Sequence, residues 1–134
     1  MAEPPKILIA DRNRHVRDFL RRELHAEGYR IEVARDGREV LNHLQGHEPP
    51  DLLILDLEMP YVDELEVLAH LKERQPRLPV VIHTILPDPA HHPALSLAAT
   101  FVEKKGDLDL LKAAVADMLG KDFSRGPRPH CPRM

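Results

Sequence analysis

The stretch Asp51-Leu52-Leu53-Ile54-Leu55-Asp56-Leu57-Glu58-Met59-Pro60 decides the fold. Four consecutive large aliphatic residues end in a carboxylate, and Met-Pro follows. Such a run suits a strand buried on both faces, as in a parallel sheet. Asp56 then falls at the carboxyl edge of the sheet, where open α/β folds keep their crevices. Pro60 prevents the strand from continuing. An aspartate at that tip is either a hydrogen-bonded turn residue or a reactive carboxylate. Asp is a common turn former, so the segment alone leaves both readings open.

The chain has 134 residues, the size of one ordinary domain. A hydrophobic content of 43% with 31% charged residues describes a globular protein. The formal net charge of −3 is too small to argue for nucleic acid or an anionic membrane as a partner. The single cysteine, Cys131, makes no internal disulfide, and no metal-type Cys spacing exists. The first apolar run has four residues, too short for a signal-peptide core, and nothing approaches a membrane span. A cytoplasmic location is expected. His91 and His92 would face apart on a helix, and the nine histidines show no zinc spacing.

Outward from the decisive strand, apolar runs alternate with helical periodicity. Ile7-Leu8-Ile9-Ala10 reads as a buried strand. Val16, Phe19, Leu20 and Leu24 follow at helical spacing, with Asn13 as N-cap and Gly28 as stop. Ile31-Glu32-Val33-Ala34 alternates like a strand. Asp36-Gly37-Arg38-Glu39 opens a helix as a capping box, with Val40, Leu41 and Leu44 as its stripe and Gly46 near its end. Beyond Asp56, Asp63 to Glu66 forms another capping box for a helix carrying Leu65, Leu68 and Leu71, limited by Pro76. Pro79 to Thr84 reads as a fourth buried strand with proline at its first position. Pro87, Pro89 and Pro93 argue for an irregular loop, with a short helix over Ala94–Ala99. Thr100 to Glu103 is the last strand. Asp107 caps a final helix with Leu108, Leu111, Val115, Met118 and Leu119 on one face.

Five strands alternating with helices imply right-handed crossovers and a parallel sheet covered on both faces. This is a doubly wound, flavodoxin-like α/β fold with strand order 2-1-3-4-5. Residues 1–5 are expected to be an N-terminal extension, 6–120 the domain, and 121–134 a disordered tail. In that order Asp11, Asp56, Thr84 and Lys104 lie at the ends of adjacent strands and converge on one crevice. Two carboxylates, a hydroxyl and an ammonium can handle a phosphoryl group, with one carboxylate as nucleophile. The hydroxyl and ammonium can hold phosphoryl oxygens, and a divalent cation can neutralise the charge of transfer.

These motifs resemble the response-regulator receiver domain of two-component signalling, over roughly residues 6–119. Asp56-Leu57-Glu58-Met59-Pro60 is similar to that family's phosphoacceptor pattern. Asp11 matches its first-strand acid, Arg17 and Gly28 match positions of the first helix, and Lys104 matches its phosphate-contacting lysine. Thr84 and Phe101 match its hydroxyl and aromatic switch positions. The resemblance implies a phosphorelay module that takes a phosphoryl group on Asp56 from a histidine kinase or phosphotransfer protein. It implies output through a target protein bound to the face of the fourth helix, fifth strand and fifth helix. Monomer or weak homodimer is expected, with no nucleic acid or membrane partner.

The departures matter as much. Arg12 stands where the family usually has a second acidic metal ligand. The small residue expected after Thr84 is Ile85, Glu64 replaces a usual glycine, and Lys105 replaces a usual proline. A guanidinium at the metal position repels Mg²⁺ and can pair with Asp56 or Glu58. One such pair at about 4 Å is worth on the order of 4 kcal/mol before desolvation, at an effective dielectric near 20. Asp11 and Asp56, with Glu58 as replacement, are the candidate metal ligands, and Mg²⁺ binding is expected to be weak or absent. Arg12 and Ile85 favour an alternative, a degenerate receiver acting as a phosphorylation-independent interaction module. An aspartate-nucleophile phosphatase of the haloacid-dehalogenase type fits less well. Its second acid would be Glu58, and there is no cap domain, so enzymatic turnover is not expected.

Overall fold

A computed structural model of the chain describes residues 3–56, 58, 64–85, 99–104 and 108–120. Five strands are present: β1 Lys6–Ala10, β2 Arg30–Ala34, β3 Leu52–Leu55, β4 Val80–Thr84 and β5 Ala99–Glu103. Four helices occur among the described residues: α1 Arg14–Ala26, α2 Gly37–Leu44, α3 Glu64–Arg74 and α4 Leu108–Met118. The strands form one sheet in the order β2-β1-β3-β4-β5, and every pair is parallel. The expected fold class is therefore the one observed.

The unbroken apolar runs have a simple cause. Successive side chains leave a strand on opposite faces. Leu8, Ala10, Leu53, Leu55, Val80 and Ile82 enter one core with Val40, Leu44, Val67, Leu68 and Leu71 of α2 and α3. Ile7, Ile9, Leu52, Ile54 and Val81 enter the other with Leu20, Leu24, Leu111 and Val115 of α1 and α4. With helices on both faces, no central strand has a solvent side to mark with polar residues. Edge strand β2 is only half-buried over most of its length, and there Glu32 interrupts the apolar pattern.

Local signals set the helix ends. The Asn13 side chain accepts from His15 N at 2.8 Å and Val16 N at 3.2 Å, capping α1. Gly28 ends that helix with φ 102°, a conformation side chains resist. Asp36 accepts from Glu39 N at 2.9 Å and caps α2. The returning arm of this box reaches one residue further back than expected, with Glu39 Oε1 accepting from Arg35 N at 2.8 Å. Gly46 does not adopt positive φ, so α2 ends without a glycine cap. Pro79 immediately precedes β4 and accepts from Leu53 N at 3.0 Å, a role that needs no N–H. The described part of the N-terminal extension is tied down, with Arg30 bonding the Pro4 and Pro5 carbonyls and pairing with Glu3 at 2.8 Å.

Two expectations need correction. Phe19 is 42% exposed and does not belong to the buried stripe of α1. Leu20 and Leu24 already aim at the sheet, and Phe19 is rotated about 100° from Leu20 around the helix axis. Ala99 belongs to β5, because it pairs with Val80 in the parallel ladder. The rest of the short helix expected there lies outside the described residues, as do Asp63, Lys105, Asp107 and the tail.

One buried polar side chain lies on the face of β4 that carries Val81. His83 is 7% exposed, and its Nδ1 is buried with no hydrogen-bond partner among the described residues. Burial pushes its pKa from 6.5 down to about 4, helped by the Lys104 charge and opposed by Asp56. A depressed histidine pKa means the unfolded chain binds more protons as pH falls. His83 should therefore cost stability between pH 6.5 and about 4, by up to about 3 kcal/mol. Urea unfolding of the native chain and His83→Leu across that window should show a shallower acid decline in the variant. Equal slopes would exclude His83 as a source. In the same assay at pH 7, Leu24→Ala should cost about 2–5 kcal/mol, and Phe19→Ala about 1 kcal/mol or less.

Candidate functional site

The strand order brings four ends of chain together. Ala10 and Leu55 are register partners, so Asp11 and Asp56 emerge side by side just beyond them. Both main chains are pinned there: Asp56 N donates to Ala10 O at 2.9 Å, and Asp11 N to Ala34 O at 3.0 Å. Thr84 ends β4 opposite Glu103. Lys104 follows β5, and its N–H donates to Thr84 O at 2.8 Å.

From β5, the Lys104 side chain crosses β4 and places its ammonium between the two carboxylates. Nζ lies 2.9 Å from Asp11 Oδ2 and 3.3 Å from Asp56 Oδ2. Asp11 and Asp56 are only 2% and 1% exposed. Two carboxylates so placed need compensation, which Lys104 and nearby amides supply. Asn13 N donates to Asp11 Oδ1 at 2.8 Å, and Glu58 N to Asp56 Oδ1 at 3.0 Å. The Asp11 pKa is nonetheless raised above its ordinary value. Burial is the main cause, partly offset by the bonds from Lys104 and Asn13, with the Asp56 charge adding to the rise. Arg17 buttresses the strand end from α1, Nη1 donating to Asp11 O at 2.8 Å.

Arg12 takes one of its two expected partners. Its guanidinium lies 3.0 Å from Glu58 Oε1, whereas only its main-chain N–H approaches Asp56, at 3.5 Å from Oδ2. The pair sits on the rim of the crevice, with Arg12 half exposed. Of the other residues singled out in the sequence, Thr84 is buried at the end of β4 and Ile85 is 48% exposed just after it. Phe101 is half-buried in β5 and packs on the α2–α3 side of the sheet. The strand expected over Pro79 to Thr84 includes His83, but the sequence carried no sign that its ring would be buried near the Lys104 and Asp56 charges. A histidine in an apolar strand does not announce which face it enters.

Mg²⁺ is the metal that the family resemblance implies. Asp11 and Asp56 offer two hard oxygens that already converge on one cation, the Lys104 ammonium. Glu58, the third expected ligand, is bound to Arg12. Among the described residues no group of three His, Cys, Asp or Glu side chains could hold a metal ion. This donor set does not by itself complete a divalent site.

Known proteins share this architecture. Response regulator MprA of Mycolicibacterium vanbaalenii is 43% identical over 81 residues, covering 60% of this chain and 35% of that protein. The chain thus spans about a third of the length of the curated relatives it matches. The response regulator TrrA of Thermotoga maritima, solved in complex with Mg²⁺ and BeF, is similar with a TM-score of 0.76 and 29% identity. That match covers 85% of this chain and 98% of TrrA. A complex of TrrA with the histidine kinase ThkA also matches, with a TM-score of 0.77 at 29% identity, over 87% of this chain and 99% of the matched one. The family model of the response regulator receiver domain matches residues 7–116, nearly the whole described fold, and the chain belongs to that family.

Proposed function

We propose that Asp56 is the phosphoacceptor of a phosphorelay, loaded by a histidine kinase or a phosphotransfer protein. The observation that carries this reading is the Lys104 ammonium 3.3 Å from Asp56 at the carboxyl edge of the sheet. That cation can follow the charge from the carboxylate to an attached phosphoryl group. The likeness to TrrA, which is solved with a histidine kinase, supports a kinase as donor.

Thr84 and Phe101 act as the switch. They lie on neighbouring paired strands, Thr84 one end of the ladder and Phe101 opposite Ile82. Their rearrangement changes the affinity for a target protein of the face expected from the fourth helix, the fifth strand and the fifth helix; β5 and α4 supply the last two, and the expected fourth helix lies outside the described residues. The module works as a monomer or weak homodimer in the cytoplasm, and no helix among the described residues is long and apolar enough to cross a membrane. It signals by binding and is not a turnover enzyme. Mg²⁺ binds weakly, because Arg12 places a positive charge beside the acidic pair and occupies Glu58.

The Arg12–Glu58 pair also favours a second reading, a receiver fold used as a phosphorylation-independent interaction module. Incubation with a small phosphodonor and Mg²⁺, followed by intact mass measurement, separates the two. Gain of one phosphate, lost in Asp56→Asn, supports the phosphoacceptor. No gain under forcing conditions supports the interaction module. In a Mg²⁺ titration followed by NMR, the native chain should remain unsaturated at low millimolar metal. Saturation at or below that level, with Asp56-dependent shifts, would contradict weak binding.

A further inference from the structure

We propose that the Arg12 guanidinium takes the place of a divalent cation as the counter-charge for a phosphoryl group on Asp56, so that Asp56 is phosphorylated without metal. This deepens the phosphoacceptor reading and rests on it.

Charge is the first argument. Asp11, Asp56 and Glu58 face two fixed cations, Lys104 and Arg12, in one connected cluster. The cluster carries one net negative charge. An acid in place of Arg12 would leave four carboxylates against one ammonium, a far stronger demand for an added cation. Position 12 therefore decides whether the neutralising charge is built in or borrowed from solution.

Geometry is the second. Arg12 and Glu58 flank the two oxygens of Asp56, with the Arg12 N–H 3.5 Å from Oδ2 and the Glu58 N–H 3.0 Å from Oδ1. The guanidinium is thus rooted beside the carboxylate it would serve. Its present partner holds it loosely: the Arg12 side chain is 53% exposed, and exposed ion pairs contribute little. Exchange of the Glu58 carboxylate for phosphoryl oxygens offers two parallel N–H bonds to a more highly charged acceptor.

The chemistry balances without metal. An Asp56 carboxylate oxygen forms a P–O bond as the P–N bond of the donor breaks. The electron pair leaves on nitrogen; in phosphoramidate that nitrogen already carries its proton and departs as ammonia. The carboxylate's single charge is replaced by the two charges of the phosphoryl group. Lys104 and Arg12, both rooted beside Asp56 Oδ2, share that increase. Glu58, released, turns to solvent.

The full-length chain should be incubated with phosphoramidate in EDTA and, separately, in Mg²⁺, and phosphate on Asp56 followed by intact mass. The native chain should be phosphorylated at comparable rates in both. Arg12→Gln should slow the reaction in EDTA about tenfold or more, while Arg12→Asp should make it dependent on Mg²⁺. Arg12→Lys, which keeps the charge without the fork, should fall between native and Arg12→Gln. Circular dichroism confirms that each variant is folded. Phosphorylation of the native chain in Mg²⁺ alone overturns the role of Arg12 and leaves the phosphoacceptor standing. No phosphorylation in either condition overturns both. An Arg12→Gln chain as fast as native in EDTA also overturns the role of Arg12.

Discussion

The structure turns on one ammonium group held between two buried carboxylates. Asp11 and Asp56 lie almost fully out of solvent, side by side at the ends of β1 and β3. Their mutual repulsion and lost hydration need a cation close by. Lys104 provides it from β5, two strands away from β3, and contacts both at 3.3 Å or less. Removing one partner of such a buried arrangement typically costs about 3–5 kcal/mol. The strand order, the length of the lysine side chain and the anchoring of its amide on Thr84 O all serve that contact. The same contact makes the crevice suited to a phosphoryl group, because the cation is fixed before any charge arrives.

Around this centre the rim has been rebuilt. The resemblance of the sequence to receiver domains leads one to expect an acid beside Asp11, and Arg12 stands there instead. Its guanidinium engages Glu58, so one substitution adds a positive charge and also occupies a further carboxylate. A cluster that would call for a divalent ion becomes nearly neutral by itself. Deeper in the crevice, Asp11 is held by Asn13 N and Lys104, and Asp56 by Glu58 N and Lys104.

The fold was legible where local chemistry specifies it. Asn13 and Asp36 cap helices because their side chains reach nearby amides, and Gly28 stops one because it accepts φ 102°. The runs around Ile7, Leu52 and Val80 read as strands covered on both faces, and the sheet places them so. Phe19 was misplaced because periodicity marks a broad apolar stripe and cannot say which member points between neighbouring helices. Ala99 was misplaced for a related reason. Its strand character comes from pairing with Val80, a partner far away in sequence. The reach of Glu39 to Arg35 rather than to the cap residue was likewise a matter of side-chain geometry.

By itself the sequence determined the order of strands and helices, the caps at Asn13 and Asp36 with the stop at Gly28, and the set of residues at the strand ends. Those follow from period, turn chemistry and hydrophobicity, all short-range properties. Only the tertiary structure decided that Lys104 bridges Asp11 and Asp56, that Arg12 chooses Glu58, and that His83 is buried beside them. Each of these is a choice among partners separated by many residues. The packed sheet makes the choice by fixing distances that a linear pattern does not contain.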